Sequence, residues 1–196
     1  MIHDTRESWL RHAGQLLTEH VLTPAGYTPG EYRVSCGWPA RGALAKVKRT
    51  LGECWAHENN KDKQSHVFVS PVLDNPAEVT AVLLHELLHA SLPAKAKHGK
   101  TFAKAAVKCG LEGKPTSTVA GQVLAERINA EMLPLLGAYP HSAIDATLRP
   151  KQKTRMLLWQ CACPVKVRAA AKSGFNATCN VCYSPFARQD DEHTED

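Results

Sequence analysis

Residues 85–89 read H-E-L-L-H inside an apolar run, and the pattern has a meaning only if this stretch is a helix. On a helix, residues four apart share one face, so the imidazoles of His85 and His89 can reach the same metal ion. The carboxylate of Glu86 then lies beside that ion, where it can accept a proton from water. The pattern therefore predicts a helix that carries a metal site and a general base.

A third ligand is required, because catalytic zinc usually takes three protein ligands and keeps one position for water. Pro93 forces the chain out of the helix, and the residues between the motif and His98 suffice for a returning loop. Leu92 and Lys95 stand where the metzincin pattern has Gly and His, so that class is excluded. We expect His98 to be the third ligand, with Glu112 as the acidic alternative.

The rest of the chain predicts an α+β protein with a small three-stranded sheet beside helices. Apolar residues with helical spacing and a Thr-Pro-Ala-Gly stop predict a first helix at residues 4–22. Strands are predicted at residues 32–36, 51–57 and 66–70, and further helices at about 74–91, 100–109 and 118–136.

Four of the seven cysteines cluster near the C-terminus and predict a second metal site. Their spacing is C-x-C, fifteen residues, then C-x-x-C, which is typical of a structural zinc ribbon. The predicted ligands are Cys161, Cys163, Cys179 and Cys182. The scattered Cys36, Cys54 and Cys109 are interpreted as small apolar core residues. The expected cofactors are therefore one catalytic and one structural Zn²⁺.

The charge of the chain is distributed unevenly. Residues 149–189 hold eight Lys or Arg and no acid, whereas residues 190–196 hold five acids and no Lys or Arg. A basic stretch with interleaved aromatics suits single-stranded or distorted nucleic acid. The alternative is that the aromatics form the core of the ribbon and the bases only solubilise it. The predicted nucleic-acid contacts are Arg155, Trp159, Lys166, Arg168 and Lys172.

These features predict a first domain at residues 1–147, a basic zinc ribbon at 148–188 and an acidic disordered tail at 189–196. No apolar stretch reaches the length of a membrane span, and the N-terminus lacks the apolar core of a signal peptide. We therefore expect no membrane partner and a cytoplasmic location.

The spacing of the three histidines, followed by Gly99 and Phe102, resembles the SprT-like metalloproteases, which include the eukaryotic protease Spartan. Residues 49–55, Ser70-Pro71 and residues 110–114 are also similar to that family, in particular to its bacterial and phage branch with a C-terminal ribbon. The resemblance implies a zincin-like helical core, zinc held by His85, His89 and His98, and Glu86 as the base of peptide hydrolysis. It also implies a bacterial or phage-infected cell, with association to the nucleoid.

Taken together, the sequence predicts a zinc metalloendopeptidase that acts on DNA-associated or DNA-crosslinked proteins and is recruited by nucleic acid. The substrate class follows from the resemblance to Spartan. The alternative is a non-proteolytic, zinc-containing accessory protein that binds nucleic acid, for example in transcription. Tyr139 and His141 are either oxyanion donors or parts of a packed turn.

Overall fold

The computed structural model describes residues 3–148, 156–170 and 173–189, and its contacts divide the chain into two units, Met1–Thr147 and Leu148–Asp196. Both units contain small sheets, and the first adds helices, so the predicted α+β class is confirmed. Residues 190–196 of the predicted acidic tail and the basic run 149–155 lie outside the described residues. Gln189, which was assigned to the tail, is the last residue of a strand.

The helices of the first unit bury one apolar core. Helix α1 is capped by Thr5, whose hydroxyl accepts a hydrogen bond from Ser8 N, and a π-helical turn at Thr18–Leu22 continues it. It buries Trp9 and Leu17 completely. The helices are α1 Arg6–Leu17, α2 Pro76–Ala90, α3 Lys100–Lys108, α4 Gln122–Arg127 and α5 Leu133–Leu136.

A three-stranded sheet packs against these helices. Its strands are β1 Tyr32–Cys36, β2 Gly52–Trp55 and β3 Ser65–Val69, in the order β1-β3-β2. β1 is parallel to β3, and β2 is antiparallel to β3. Because β3 is its one partner in this order, β2 is an edge strand. Alternation along the strands turns residues such as Cys54 and Val67 towards the core and their neighbours to the outer face.

Helix α2 is buried against the core on most of its faces. The Asn75 carboxamide oxygen accepts from the backbone N–H of Ala77 and Glu78, and Pro76 occupies the first turn. Its buried residues are Val79, Thr80, Ala81, Leu83, Leu84, Glu86, Leu87, Leu88 and Ala90. This burial fixes the rotation of the helix and therefore the direction of its histidines.

A hairpin lies where the sequence predicted the beginning of a long helix. Strands β4 Leu111–Lys114 and β5 Ser117–Ala120 pair in antiparallel, and only then do α4, a π-helical segment Ile128–Met132 and α5 follow. The prediction of helix from residue 118 was therefore wrong. Thr118 and Val119 are β-branched and suit a strand, and Gly121 separates them from the helix that it caps.

The second unit is a three-stranded antiparallel sheet with a cysteine-bearing turn. Its strands are β6 Met156–Gln160, β7 Lys166–Ala170 and β8 Ala187–Gln189, in the order β7-β6-β8. Among its described residues, the buried apolar ones are Cys161, Ala169 and Cys179. Such a small core indicates that the sheet needs an additional source of stability.

Candidate metal centres and the cleft at the first

Three histidines converge at the surface end of α2. His85 and His89 lie one turn apart on this helix, and His98 is returned to them by the loop that follows Pro93. The Nε2 atom of His98 lies 3.1 Å from the Nε2 atoms of both His85 and His89. The predicted third ligand is thus in place.

The spacing of these nitrogens suits a tetrahedral metal ion. Zn–N bonds of about 2.1 Å place two ligand nitrogens about 3.4 Å apart in a tetrahedron. One ligand atom from each histidine lies within 4.8 Å of the others, so the group can hold a metal ion. Glu112, the alternative ligand, is not part of any such group among the described residues.

Phe102 forms the floor below the three imidazoles. Its ring is completely buried and stacks on His89 with centroids 4.2 Å apart and an angle of 18° between the planes. The rings of His85 and His98 lie 4.8 and 5.2 Å away. Because α3 anchors Phe102 in the core, the floor limits how far each imidazole can rotate.

Thr118 orients the remaining nitrogen of His85, a contact that the sequence did not reveal. Its Oγ1 lies 2.8 Å from His85 Nδ1. In a histidine that binds metal through Nε2, the Nδ1–H group donates, so the Thr118 hydroxyl accepts here. The predicted helix at residue 118 concealed this partner, because only a strand brings Thr118 across to α2.

The environment keeps the histidines neutral. Burial, together with the charge of the neighbouring His98, lowers the pKa of His85 to about 4. Burial, followed by the charges of His85 and His98, lowers the pKa of His89 to about 3. The pKa of His98 is also lowered by burial. Neutral imidazole is the form that binds a metal ion, so the group is ready for one at neutral pH.

Glu86 is held almost out of contact with bulk water. Its residue is only 6% exposed, and burial raises the pKa of its carboxyl group to about 8, with a smaller contribution from Glu53. Gly52 makes room for it: a Cβ at Gly52 would lie 2.5 Å from Glu86 Oε1 and 2.9 Å from Val82 Cγ1. A carboxyl group with this pKa exchanges protons readily near neutral pH.

A cleft of about 590 Å³ opens over the histidines and Glu86. Its lining includes the stretch from Lys48 to Cys54, together with Lys97 and residues 116–118. Lys48 and Lys97 are exposed. The cleft has the size of a ligand site and is open enough for a chain to cross it.

The strand that borders the cleft has an unpaired edge. Every backbone hydrogen bond between Gly52–Trp55 and other backbone groups within the described residues belongs to the pairing with β3. The other edge of β2 therefore presents N–H and C=O groups beside the metal group.

The four C-terminal cysteines form the second group that can hold a metal ion. The Sγ atoms of Cys161 and Cys163 lie 3.2 Å apart, and those of Cys163 and Cys179 lie 3.8 Å apart. Zn–S bonds of about 2.3 Å in a tetrahedron require sulfur atoms about 3.8 Å apart. Both groups are thus consistent with zinc.

The turn around Cys179 and Cys182 favours thiolates. Hydrogen bonding from the backbone N–H of Ser184 lowers the pKa of Cys182 to about 6. Backbone N–H groups of Cys182 and Val181 lower the pKa of Cys179. Burial raises the pKa of Cys161 to about 12, so a bound cation is needed to ionise this thiol.

The other cysteines are free thiols. Cys109 is buried, and the half-buried Cys36 and Cys54 pack against the core. The interpretation of these three as small apolar residues agrees with this placement.

The predicted nucleic-acid contacts occupy different faces of the second sheet. Lys166 and Arg168 are exposed on β7, whereas Trp159 pairs with Val167 and therefore lies on the opposite face. Trp159 packs on Phe175, and its indole N–H is buried. Arg155 and Lys172 lie outside the described residues. Tyr183, another aromatic residue of the basic stretch, is 82% exposed.

Tyr139 and His141 belong to the packed turn rather than to the cleft lining. The Tyr139 ring meets Trp9 edge-on with centroids 4.9 Å apart, and the Arg6 guanidinium lies 4.9 Å from its centroid. The backbone carbonyl of His141 accepts a hydrogen bond from Arg6. Both residues thus help to anchor α1.

The sequence matches no protein-family model, no curated protein and no solved structure. Within the described part of the chain, no helix combines the length and the apolar character that crossing a bilayer demands. The two groups that can hold a metal ion are therefore the features of the chain that bear on its function.

Proposed function

We propose that this chain is a zinc-dependent metalloendopeptidase of the SprT-like type, with His85, His89 and His98 as zinc ligands. One observation carries the proposal: three imidazole nitrogens converge in an open cleft, and the buried Glu86 lies on the same helix beside them. Structural zinc sites have no need of a carboxylate with a raised pKa at this position.

Zn²⁺ bound here would supply Lewis-acid chemistry, because it lowers the pKa of water to about 7 and polarises a carbonyl group. Glu86 accepts a proton from the attacking water and returns it to the amine that leaves when the peptide bond breaks. Burial raises the pKa of this carboxyl group, and a Zn²⁺ ion beside it would favour the carboxylate form that accepts the proton. Thr118 and Phe102 hold His85 and His89 in position.

An extended peptide is the substrate that the cleft accommodates best. The free edge of β2 offers backbone donors and acceptors to a chain that adds to the sheet as a further strand. Such pairing is independent of side chains, as required for cleavage of many different proteins.

We further propose that the substrates are proteins bound or crosslinked to DNA and that the second unit recruits the enzyme to nucleic acid. Lys166 and Arg168 support this, since they are exposed on one face of a sheet stretch without acids. The cysteine group would hold a structural Zn²⁺ that stabilises this sheet. The resemblance to Spartan and its bacterial relatives suggests the cytoplasm and the nucleoid as the location.

The test compares wild type with Glu86→Gln on a protein bound to single-stranded DNA. Both forms should contain two zinc ions per chain, and only wild type should release fragments of the bound protein. Fragment release by Glu86→Gln at the wild-type rate would contradict the role of Glu86. If neither form cleaves while both bind DNA, the non-proteolytic accessory protein is the correct alternative.

A further inference from the structure

A second, smaller cavity lies on the outer face of the three-stranded sheet. It encloses about 340 Å³ and is called the outer pocket below. Its lining consists of Trp38, Ala40, Glu53, Trp55, Asn60, His66 and Phe68. None of these residues is one of the three histidines, and the predicted function assigns no role to any of them.

The strand register builds the aromatic wall of the outer pocket. Trp55 pairs with His66 and Glu53 with Phe68, so all four side chains project from the same face. The rings of His66 and Phe68 stack with centroids 4.3 Å apart. Trp38 and Trp55 remain 41% and 44% exposed, although tryptophan is highly buried on average.

The charge inside the outer pocket is negative. Glu53 is the only carboxylate in the lining, and no Lys or Arg belongs to it. The backbone N–H of Ala40 donates to Glu53 Oε2 over 2.7 Å and fixes this carboxylate among the rings. No hydrogen bond to Glu53 Oε1 occurs among the described residues, so this atom is available to a ligand.

We propose that the outer pocket binds a lysine or arginine side chain of the protein substrate. Aromatic faces attract ammonium and guanidinium groups, tryptophan most strongly, and a carboxylate among them adds charge complementarity. A nucleotide is disfavoured because its phosphate would approach Glu53 without a basic partner in the lining. The inference rests on the proposed function, because it identifies the substrate as a peptide that crosses the adjacent cleft.

Position connects the outer pocket to the cleft. Glu53 lines both cavities, and β2 separates them. A peptide that pairs with the free edge of β2 directs alternate side chains to opposite faces of the sheet. The side chains on the outer face therefore reach the outer pocket while the backbone passes the metal group.

This arrangement selects the substrates that the proposed function requires. Proteins that bind DNA neutralise phosphates with Lys and Arg, so they offer many basic side chains. A pocket for one basic side chain, a few residues from the scissile bond, favours their segments over neutral ones. The selection requires no sequence motif in the substrate beyond the cation.

The first experiment measures binding without hydrolysis. The zinc-loaded full chain is titrated with N-acetyl-arginine amide or N-acetyl-norleucine amide while the indole N–H signals of Trp38 and Trp55 are followed by NMR. We expect the arginine compound to shift both signals and the norleucine compound to have little effect. Glu53→Gln should weaken the arginine effect at least threefold.

Equal shifts with norleucine would overturn the proposal, because the outer pocket would then be merely apolar. Shifts with oligothymidylate but not with arginine would also overturn it and assign the outer pocket to nucleic acid. Thermal unfolding of each variant shows whether a lost NMR signal reflects a loss of folding. Trp38→Leu and Trp55→Leu are two further variants for the same titration.

The second experiment compares cleavage of two peptides that differ by one Lys→norleucine exchange. We expect a several-fold higher kcat/KM for the lysine peptide, and we expect Trp55→Leu to abolish this preference. Equal rates for the two peptides in wild type would contradict the proposal. If no peptide is cleaved but the arginine compound still binds, the proposed peptidase fails and the outer pocket remains a cation site.

Discussion

At the scale of single residues, the first metal group depends on neighbours that are not ligands. Gly52 leaves the space that Glu86 fills, Thr118 fixes the nitrogen of His85 that faces away from the metal position, and Phe102 supports all three imidazoles. Each of these residues acts through a different physical property, namely volume, hydrogen bonding and ring stacking. Their substitution should therefore produce different defects.

Glu86→Gln should make the metal-free protein more stable at alkaline pH. The pKa of Glu86 is raised from 4.5 to about 8 on folding, so the native state holds a proton that the unfolded state has lost between these values. The resulting stability is complete below pH 4.5 and is lost as the pH rises through 8. Glutamine has no such loss.

Urea unfolding at pH 5, 7 and 9 measures this difference. The advantage of Glu86→Gln should grow with pH and reach on the order of 4 kcal/mol at pH 9. The pKa values of His85 and His89 are lowered from 6.5 on folding, so both proteins lose stability as the pH falls below 6.5. This loss is the same in the two proteins and cancels in the difference between their free energies of unfolding. A pH-independent difference would contradict the raised pKa.

Gly52→Ala should lower activity strongly while zinc remains bound. The added Cβ would lie 2.5 Å from Glu86 Oε1 and 2.8 Å from its Cγ, so the carboxylate must move. Displacement of a general base costs about 10²–10⁴-fold in rate. Gly30→Ala is the matched control, because nothing lies within 4 Å of its Cβ. Wild-type kcat in Gly52→Ala would disprove the contact.

Thr118→Val should weaken zinc binding by about tenfold or more, because loss of a partner that orients a ligand typically costs 10–100-fold in affinity. Thr118→Ser retains the hydroxyl that contacts His85 Nδ1 and should restore the affinity. Thr116→Val, a similar exchange in the cleft lining, should have no effect. Competition with a chelator measures all three.

At the scale of elements, the sequence predicted those parts whose signals are local. Strand β1 was predicted with its observed bounds, and α2 followed from Asn75, Pro76 and Pro93. The convergence of His85, His89 and His98 was also predictable, since helix periodicity and loop length decide it. Local signals at these places agree with the tertiary contacts.

The hairpin β4–β5 was not predictable in the same way. Thr118 and Val119 are β-branched, yet it is their pairing with β4 that decides between a strand and the start of the following helix. The outer pocket was hidden for a related reason. Trp38, Trp55 and Phe68 come from separate segments, and only the sheet register places them together.

Removal of zinc should unfold the second sheet before the first unit. The described part of the second unit buries few apolar residues, and four thiols replace a core there. Cys179→Ser should therefore broaden or collapse the NMR signals of β6 and β7 and leave those of α2 unchanged. Asn180→Ala, an exposed neighbour, is the control. Native signals in Cys179→Ser would argue against a structural metal.

At the scale of the whole molecule, the unit with the three histidines and the unit with the basic stretch share one chain of net charge +5. Acidic and basic residues are unevenly distributed along the sequence, and the stretch from 149 to 189 contains no acidic residue. Linking a weak DNA-binding unit to a cleft raises the local concentration of DNA-bound substrate at the cleft. The cleft itself then needs little affinity for any particular sequence.

Binding to single-stranded DNA should weaken steeply with salt. Each phosphate contact contributes about 0.7 to the slope of log K against log salt for single strands. Lys166→Gln and Arg168→Gln should each reduce the slope by about this amount, whereas Lys104→Gln, an exposed lysine of the first unit, should not. Fluorescence anisotropy at several salt concentrations gives the slopes. Unchanged slopes in both variants would exclude β7 as the contact surface.

The unpaired edge of β2 also bears on how the protein behaves at high concentration. An open strand edge can pair with the same edge of another copy and begin aggregation. Here the strand carries Glu53 near its middle, so antiparallel pairing of this edge in two copies would bring the two Glu53 carboxylates close together. This repulsion keeps the edge free for a different chain, and it is screened by salt. Storage at low ionic strength is therefore the condition under which the protein should stay monomeric.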